Sequence, residues 1–164
     1  MGDVFTIYYY ESPIGLIQVK SVDQNICSVL FVEKETDITT PETAIQKECI
    51  KQLKEYFAGV RLRFELPIFQ IGTDFQQQVW NKVSEIGYGT TLSYGQLAHK
   101  MGDIKSVRAV GTTNGKNKIA IIVPCHRVIA ANGDLTGYAW DLWRKEWLLK
   151  HEIEHGGLIE GRLF

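Results

Sequence analysis

The sequence predicts an α+β fold in two parts: an N-terminal antiparallel sheet with a helix over residues 1–72, then a mostly helical, helix-turn-helix-containing (winged-helix-like) part over residues 73–164 that carries the site. Three observations predict it. The first third holds three short runs rich in β-branched and aromatic residues, each bounded by turn-forming residues. The second half switches to apolar residues at helical spacing. Within it, two short helical segments are joined by a tight turn that contains glycine.

The predicted strands are Val4–Tyr10, Leu16–Ser21 and Ile26–Val32, with Ser12-Pro13-Ile14-Gly15 and Asp23-Gln24-Asn25 as the turns of a meander. A polar stretch then leads to a helix over Glu42–Ala58, which Gly59 stops. Leu62–Leu66 reads as one more strand, and residues 67–73 as the connection to the second part. Phe75, Val79, Val83 and Ile86 share one face of the next helix. Ser93-x-x-Gln96 is a capping box that opens a helix running to Met101-Gly102. Asp103 or Ser106 caps the following helix, which carries Val107, Arg108 and Val110 and stops near Gly115. Ile119–Val123 reads as an apolar strand halted by Pro124, followed by a loop over Ala130–Asp141. Asp141 caps a last helix, from Leu142 to about His155, that Gly156-Gly157 ends.

Composition excludes several function classes. The 164 residues are 45% hydrophobic and 23% charged, ordinary values for a globular protein. No apolar run approaches a membrane span, and Met1-Gly2-Asp3-Val4 does not open a signal peptide, so a cytoplasmic location with no membrane contact is expected. Cys27, Cys49 and Cys125 cannot form a fully paired disulfide framework. The four histidines all lie in the second half, away from Cys27 and Cys49, so no metal is expected. Net charge is −1 but unevenly shared: residues 1–72 carry seven Lys and Arg against ten Asp and Glu, residues 73–164 eleven against nine. Between Tyr94 and Ala130 six cations, among them Arg108 and Arg127, face only Asp103. Such a stretch is either a solvated face or a small DNA footprint.

The chemistry lies in Ile121-Ile122-Val123-Pro124-Cys125-His126-Arg127-Val128-Ile129. A thiol is a useful nucleophile only as thiolate, and a nearby imidazole or cation lowers its pKa. Adjacent side chains seldom face each other, so Cys125 and His126 would communicate through a water or across the bend at Pro124. A third group orients such a base, and Glu152 is the candidate. A lone Cys-His pair is read more readily as buried packing than as a catalytic pair.

Longer strings resolve this choice. IIVPCHRVI (121–129), GTDFQQQVW (72–80), TLSYGQLA (91–98), SVRAVGTTNGKN (106–117), LTGYA (135–139) and RKEWLLKHE (144–152) resemble the O6-alkylguanine-DNA alkyltransferases, also called methylated-DNA–protein-cysteine methyltransferases. SPIG (12–15) and LKEYFAG (53–59) extend the resemblance more loosely into the first part. The resemblance implies irreversible, single-use transfer of an alkyl group from O6-alkylguanine, with O4-alkylthymine as a parallel substrate, to Cys125. It makes His126 the base acting through a water, Glu152 its holder, and Asn117 the brace of the turn between recognition helix and active-site strand. Tyr94 would crowd the phosphate beside the target and donate to the flipped base. Arg108 would fill the space the base leaves, while Ala109 and Gly111 let the helix approach closely. Ser93 and Arg127 join them as DNA contacts. Backbone groups near Cys125, Val128 and Ala139 would read the base edges, with Tyr138 walling the pocket and Trp140 covering the alkyl group. No cofactor is implied, and the partner is double-stranded DNA containing O6-alkylguanine, bound by a monomer.

The sequence departs from the family pattern in three places. Trp140-Asp141 stands where Gly-Gly is common, Lys118 where proline is usual, and Gly87 where proline often precedes Tyr88-Gly89. Two other readings stay open. A cysteine hydrolase would need an oxyanion hole and leaves Arg108 unexplained. A non-enzymatic damage sensor would lack the cysteine.

Overall fold

The computed structural model describes residues 5–37 and 41–160, with side chains through 156. The chain divides into two compact units. One runs to Gln70 and takes in Lys118–Ala120; the other comprises Ile71–Asn117 and resumes at Ile121. A single division at residue 72 does not anticipate that return of the chain. Val4 and residues 38–40 of the predicted elements lie outside the described residues.

In the first unit β1 (Phe5–Ser12), β2 (Gly15–Val22) and β3 (Asn25–Val32) form an antiparallel sheet in that order. Gly15 takes a φ of 120° in the first turn, where the Ser12 hydroxyl donates to its carbonyl. The helix α1 (Ala44–Phe57) starts at Thr43, whose capping box with Gln46 satisfies free N–H groups. Its buried Cys49, Leu53 and Tyr56 lie against the sheet residues Ile17, Val19, Ile26 and Val29. Gly59, at φ 79°, closes it as expected.

Two predicted strands are not strands. Residues 62–66 have no strand assignment, and a side chain takes their backbone groups at Glu65: Gln52 donates to the Glu65 carbonyl and accepts the Glu65 N–H. Ile119–Val123 contributes a single bridge, Ile119 to Val29, after which Ile121 turns into the left-handed region at φ 71°. A second bridge pairs Ile68 with Ile26, so both segments cap the outer edge of β3.

The second unit begins with α2 (Asp74–Ser84), again opened by a capping box, Thr73 with Gln76. Gly72 is glycine because an added Cβ would stand 2.6 Å from the Trp80 ring. Two-residue strands β4 (Leu92–Ser93) and β5 (Val128–Ile129) pair in parallel. Helix α3 (Tyr94–Lys100) carries the predicted Ser93–Gln96 capping box. Asp103, not Ser106, is the next cap: its carboxylate accepts from Lys105 in a 3-10 turn over Ile104–Ser106, and the Ser106 hydroxyl turns back to the Asp103 carbonyl. Helix α4 (Val107–Gly115) follows, tied to α2 by the Trp80 indole N–H on the Thr113 carbonyl at 3.0 Å.

The last helix, α5, runs Leu142–Glu160 and passes through Gly156-Gly157 instead of ending there. Gly156 serves packing: a Cβ would meet the Tyr88 ring at 3.2 Å. Among the described residues no helix is long and apolar enough to cross a membrane, and no cluster of three His, Cys, Asp or Glu could hold a metal.

Candidate active site

The site lies within the second unit. Pro124 and a 3-10 turn over Cys125–Arg127 turn the chain sharply, which removes Cys125 from any strand and places its neighbours around it. Cys125 is 5% exposed. Its Sγ accepts a hydrogen bond from Asn117 Nδ2 at 3.3 Å, and the same amide donates to the Val123 carbonyl at 3.0 Å. Asn117 therefore ties the turn ahead of Cys125 to the sulfur, although the strand expected over Ile119–Val123 is reduced to one bridge. Burial pushes the Cys125 thiol up to about 11, against the pull of Asn117 and the Lys145 ammonium. The resting sulfur is a thiol and needs a base.

That base stands beside it. His126 is fully buried, and its Nε2 meets Glu152 Oε2 at 2.7 Å. Burial pushes the imidazole below its ordinary pKa, more strongly than Glu152 draws it up. A neutral ring whose Nε2–H faces Glu152 leaves Nδ1 as an acceptor, and Nδ1 has no hydrogen-bond partner among the described residues. Burial alone would raise Glu152, but His126 and Arg127 outweigh it and hold the carboxyl well below the usual carboxylate range.

Arg127, expected at the DNA surface, is a correction. Its Nε and Nη2 reach the two oxygens of Glu152 at 2.8 and 3.0 Å, and Nη1 donates to the Ile86 carbonyl. A buried carboxylate needs a buried counter-cation, and that requirement places Arg127 inside. The Gly89 N–H also donates to Glu152, at 3.1 Å.

Two residues at this site escaped sequence reasoning. Lys145 is fully buried, with Nζ on the carbonyls of Val128 at 2.7 Å and Thr136 at 2.8 Å. Burial lowers it to about 8. The helical stripe Lys145, Leu148, Glu152 could have signalled its inward direction. Asn114, on α4, donates to the Cys125 carbonyl at 3.2 Å.

A groove of about 710 Å³ adjoins the site, lined by Tyr94, Arg108, Gly111, Lys116, Tyr138 and Ala139 among others. Arg108 and Ala109 are exposed on α4. Gly111 leaves room for the Tyr94 ring, which a Cβ would approach to 3.5 Å. The Tyr94 hydroxyl donates to the Thr136 carbonyl, the oxygen that Lys145 also uses. Ser93 is committed to capping α3. The Tyr138 hydroxyl is buried without a hydrogen-bond partner among the described residues, and its ring meets Trp140 edge-on at 5.3 Å. The Cys125 carbonyl accepts both Asn114 and the Val128 N–H, and the Val128 carbonyl holds Lys145. Of the backbone groups expected to read a base, these two are already engaged.

The other thiols have no such surroundings. Cys49 is buried in α1 and pushed up to about 12, and the Cys27 thiol donates to the Lys20 carbonyl. A hollow of about 650 Å³ in the first unit, near Thr6 and Thr43, brings no nucleophile to a base.

Known proteins share this plan. The family described as 6-O-methylguanine DNA methyltransferase, DNA binding domain, matches residues 74–154, and its ribonuclease-like domain matches residues 6–69. A methylated-DNA–protein-cysteine methyltransferase of Methanosarcina acetivorans is 45% identical over 153 residues, 89% of this chain and 98% of its own. One from Mycolicibacterium paratuberculosis is 40% identical over 149 residues, covering 88% and 90%. The crystal structure of the Mycobacterium tuberculosis O6-methylguanine methyltransferase superposes with a TM-score of 0.85 at 37% identity, over 93% of this chain and 94% of that one. A structure of Mycobacterium tuberculosis OGT in complex with DNA gives 0.83 at 39% identity, over 92% and 93%. Agreement in both sequence and fold across nearly the whole length settles the kinship: the chain belongs to the methylated-DNA–protein-cysteine methyltransferase family.

Proposed function

We propose that this protein repairs alkylated DNA by moving the alkyl group from O6 of guanine to Sγ of Cys125, once per molecule. The observation that carries the reading is the conjunction at Cys125 of a bonded amide, a buried cation and a His126–Glu152 pair, beside a groove that the helix-turn-helix lines. DNA is the partner, as in the complex formed by the Mycobacterium tuberculosis relative.

The base must leave the stack, because a sulfur 5% exposed cannot reach O6 inside a duplex. Arg108, exposed at the groove, takes the vacated space. Tyr94 releases the Thr136 carbonyl and donates to the base, and Tyr138 walls the pocket. His126 Nδ1 takes the thiol proton through a water, and Glu152 stabilises the imidazolium that forms. The thiolate attacks the alkyl carbon in line; the S–C bond forms as the C–O6 bond breaks, and the electron pair leaves with O6. The departing guanine takes up a proton, so the thiol proton balances the reaction. A thioether is not cleaved by water, and the molecule is spent. The chain works as a monomer, since every group named comes from one unit.

The hydrolase reading fits less well, because the Cys125 N–H that would serve an oxyanion hole donates to the Val123 carbonyl at 2.8 Å. The test is an oligonucleotide carrying labelled O6-methylguanine. Label should pass to the protein in a one-to-one ratio and map to Cys125 by mass spectrometry. Cys125→Ser should abolish transfer and leave duplex binding nearly intact. Label on Cys27 or Cys49, or no transfer, would overturn the reading.

A further inference from the structure

Asn114 lies inside the site, and no step of the proposed reaction uses it. It sits on α4, is 2% exposed, and donates through Nδ2 to the Cys125 carbonyl oxygen at 3.2 Å. That oxygen also accepts the Val128 N–H, so both of its lone pairs are engaged. The other end of the carboxamide, Oδ1, is buried and has no hydrogen-bond partner among the described residues. A buried acceptor left in this state destabilises a fold, and an apolar side chain of similar shape avoids the penalty. The residue therefore makes sense for what its donor does, and poorly as packing.

What the donor does follows from covalent geometry. A cysteine's carbonyl oxygen is a few bonds from its sulfur, and its negative end opposes charge on that sulfur. Two donors on the oxygen offset this charge and fix the peptide plane from which the Cα–Cβ bond projects. Asn117 holds the sulfur itself, so two carboxamides near the C-terminal end of α4 secure one residue. We infer that Asn114 is a positioning residue for the reacting sulfur: by holding the Cys125 carbonyl it sets the angle at which Sγ meets the alkyl carbon, so the helix that faces DNA also aims the nucleophile. The inference rests on the reading that Cys125 accepts the alkyl group.

Asn114→Leu keeps the side-chain shape and removes both amide atoms. Its Tm should be unchanged or higher and its duplex Kd within about twofold, while single-turnover transfer slows about 10- to 100-fold, the loss of one hydrogen bond at a reacting centre. Trapping of Cys125 by iodoacetamide should shift to higher pH. Asn114→Asp donates only when protonated, so its transfer should approach the wild type at acid pH and fall as pH rises. Wild-type transfer and an unshifted trapping profile in Asn114→Leu would overturn the inference. If that variant fails to fold, an Asn114→Asp profile parallel to the wild type would do so. Mapping the label in wild-type protein separates the two failures: label away from Cys125 defeats the proposed function, and label on Cys125 with indifferent Asn114 variants defeats only this inference.

Discussion

Lys145 shows how one residue couples charge to burial. An ammonium with no exposed surface, held by the carbonyls of Val128 and Thr136, has no carboxylate to neutralise it among the described residues. The anion that would complete it is the Cys125 thiolate, so the cation stabilises the reactive form of the sulfur. Because burial brings Lys145 to about 8, its charge is present below that pH and lost above it. The single-turnover rate of the wild type should therefore decline above about pH 8. Lys145→Met should remove that decline and lower the rate at neutral pH by about tenfold or more, one pKa unit of the thiol being a factor of ten. A wild-type rate that keeps rising through pH 9 would remove Lys145 from the reaction. Trp140 would act by size instead. Its ring is half-buried and edge-on to Tyr138, which lines the groove. An indole there leaves little room for a benzyl group, yet a methyl needs almost none. The protein should react poorly with free O6-benzylguanine, and Trp140→Gly should speed that reaction while leaving methyl transfer unchanged. Equal effects on both substrates would take Trp140 out of the pocket.

At the scale of elements, α4 joins two tasks. It presents Arg108 to the groove at one end, and near the other Asn114 and Asn117 grip Cys125. If Arg108 supports flipping, Arg108→Ala should slow repair in duplex DNA far more than reaction with the free base. Equal losses in the two assays would assign Arg108 to another step. Elements whose signals are local were legible in the sequence: the meander, the capping box at Ser93 and the glycine stop at Gly59 each rest on a few adjacent residues. Elements decided by distant partners were not. Residues 62–66 look like a strand until Gln52 takes the hydrogen bonds a neighbouring strand would have made. The apolar run Ile119–Val123 supplies one bridge and then turns, because the site requires a bend before Cys125. The meeting of His126 with Glu152 beside Cys125 was legible because the two strings that carry them, IIVPCHRVI and RKEWLLKHE, are long. Lys145 does not stand out in the sequence and Arg127 reads there as a DNA contact, since a charged residue reads as solvated until the buried group it serves is known.

At the scale of the whole chain, the Cys125 site belongs to one unit, and within that unit Glu152 joins widely separated segments. Its carboxylate takes the Gly89 N–H ahead of β4, His126 and Arg127 from the 3-10 turn, and is itself carried by α5. The residue proposed to orient the base is therefore also a fastener of the unit, which ties that proposed role to stability. Breaking a buried charge network by removing one partner leaves the others uncompensated, at about 3–5 kcal/mol. Glu152→Gln should destabilise the second unit by that order at pH 7 and slow transfer as well. The pH dependence identifies the cause. The folded carboxyl titrates well below its ordinary 4.5, so its stabilisation is present above about 4.5 and lost as pH falls through the acid range. The gap between wild type and Glu152→Gln should therefore be widest near neutrality and narrow as acid protonates the wild-type carboxylate. Denaturant unfolding followed by tryptophan fluorescence measures this in the right place, because Trp80, Trp140, Trp143 and Trp147 all lie in the second unit. A gap that stays constant from pH 7 to pH 3 would mean that the lost stability comes from packing and not from the carboxylate charge.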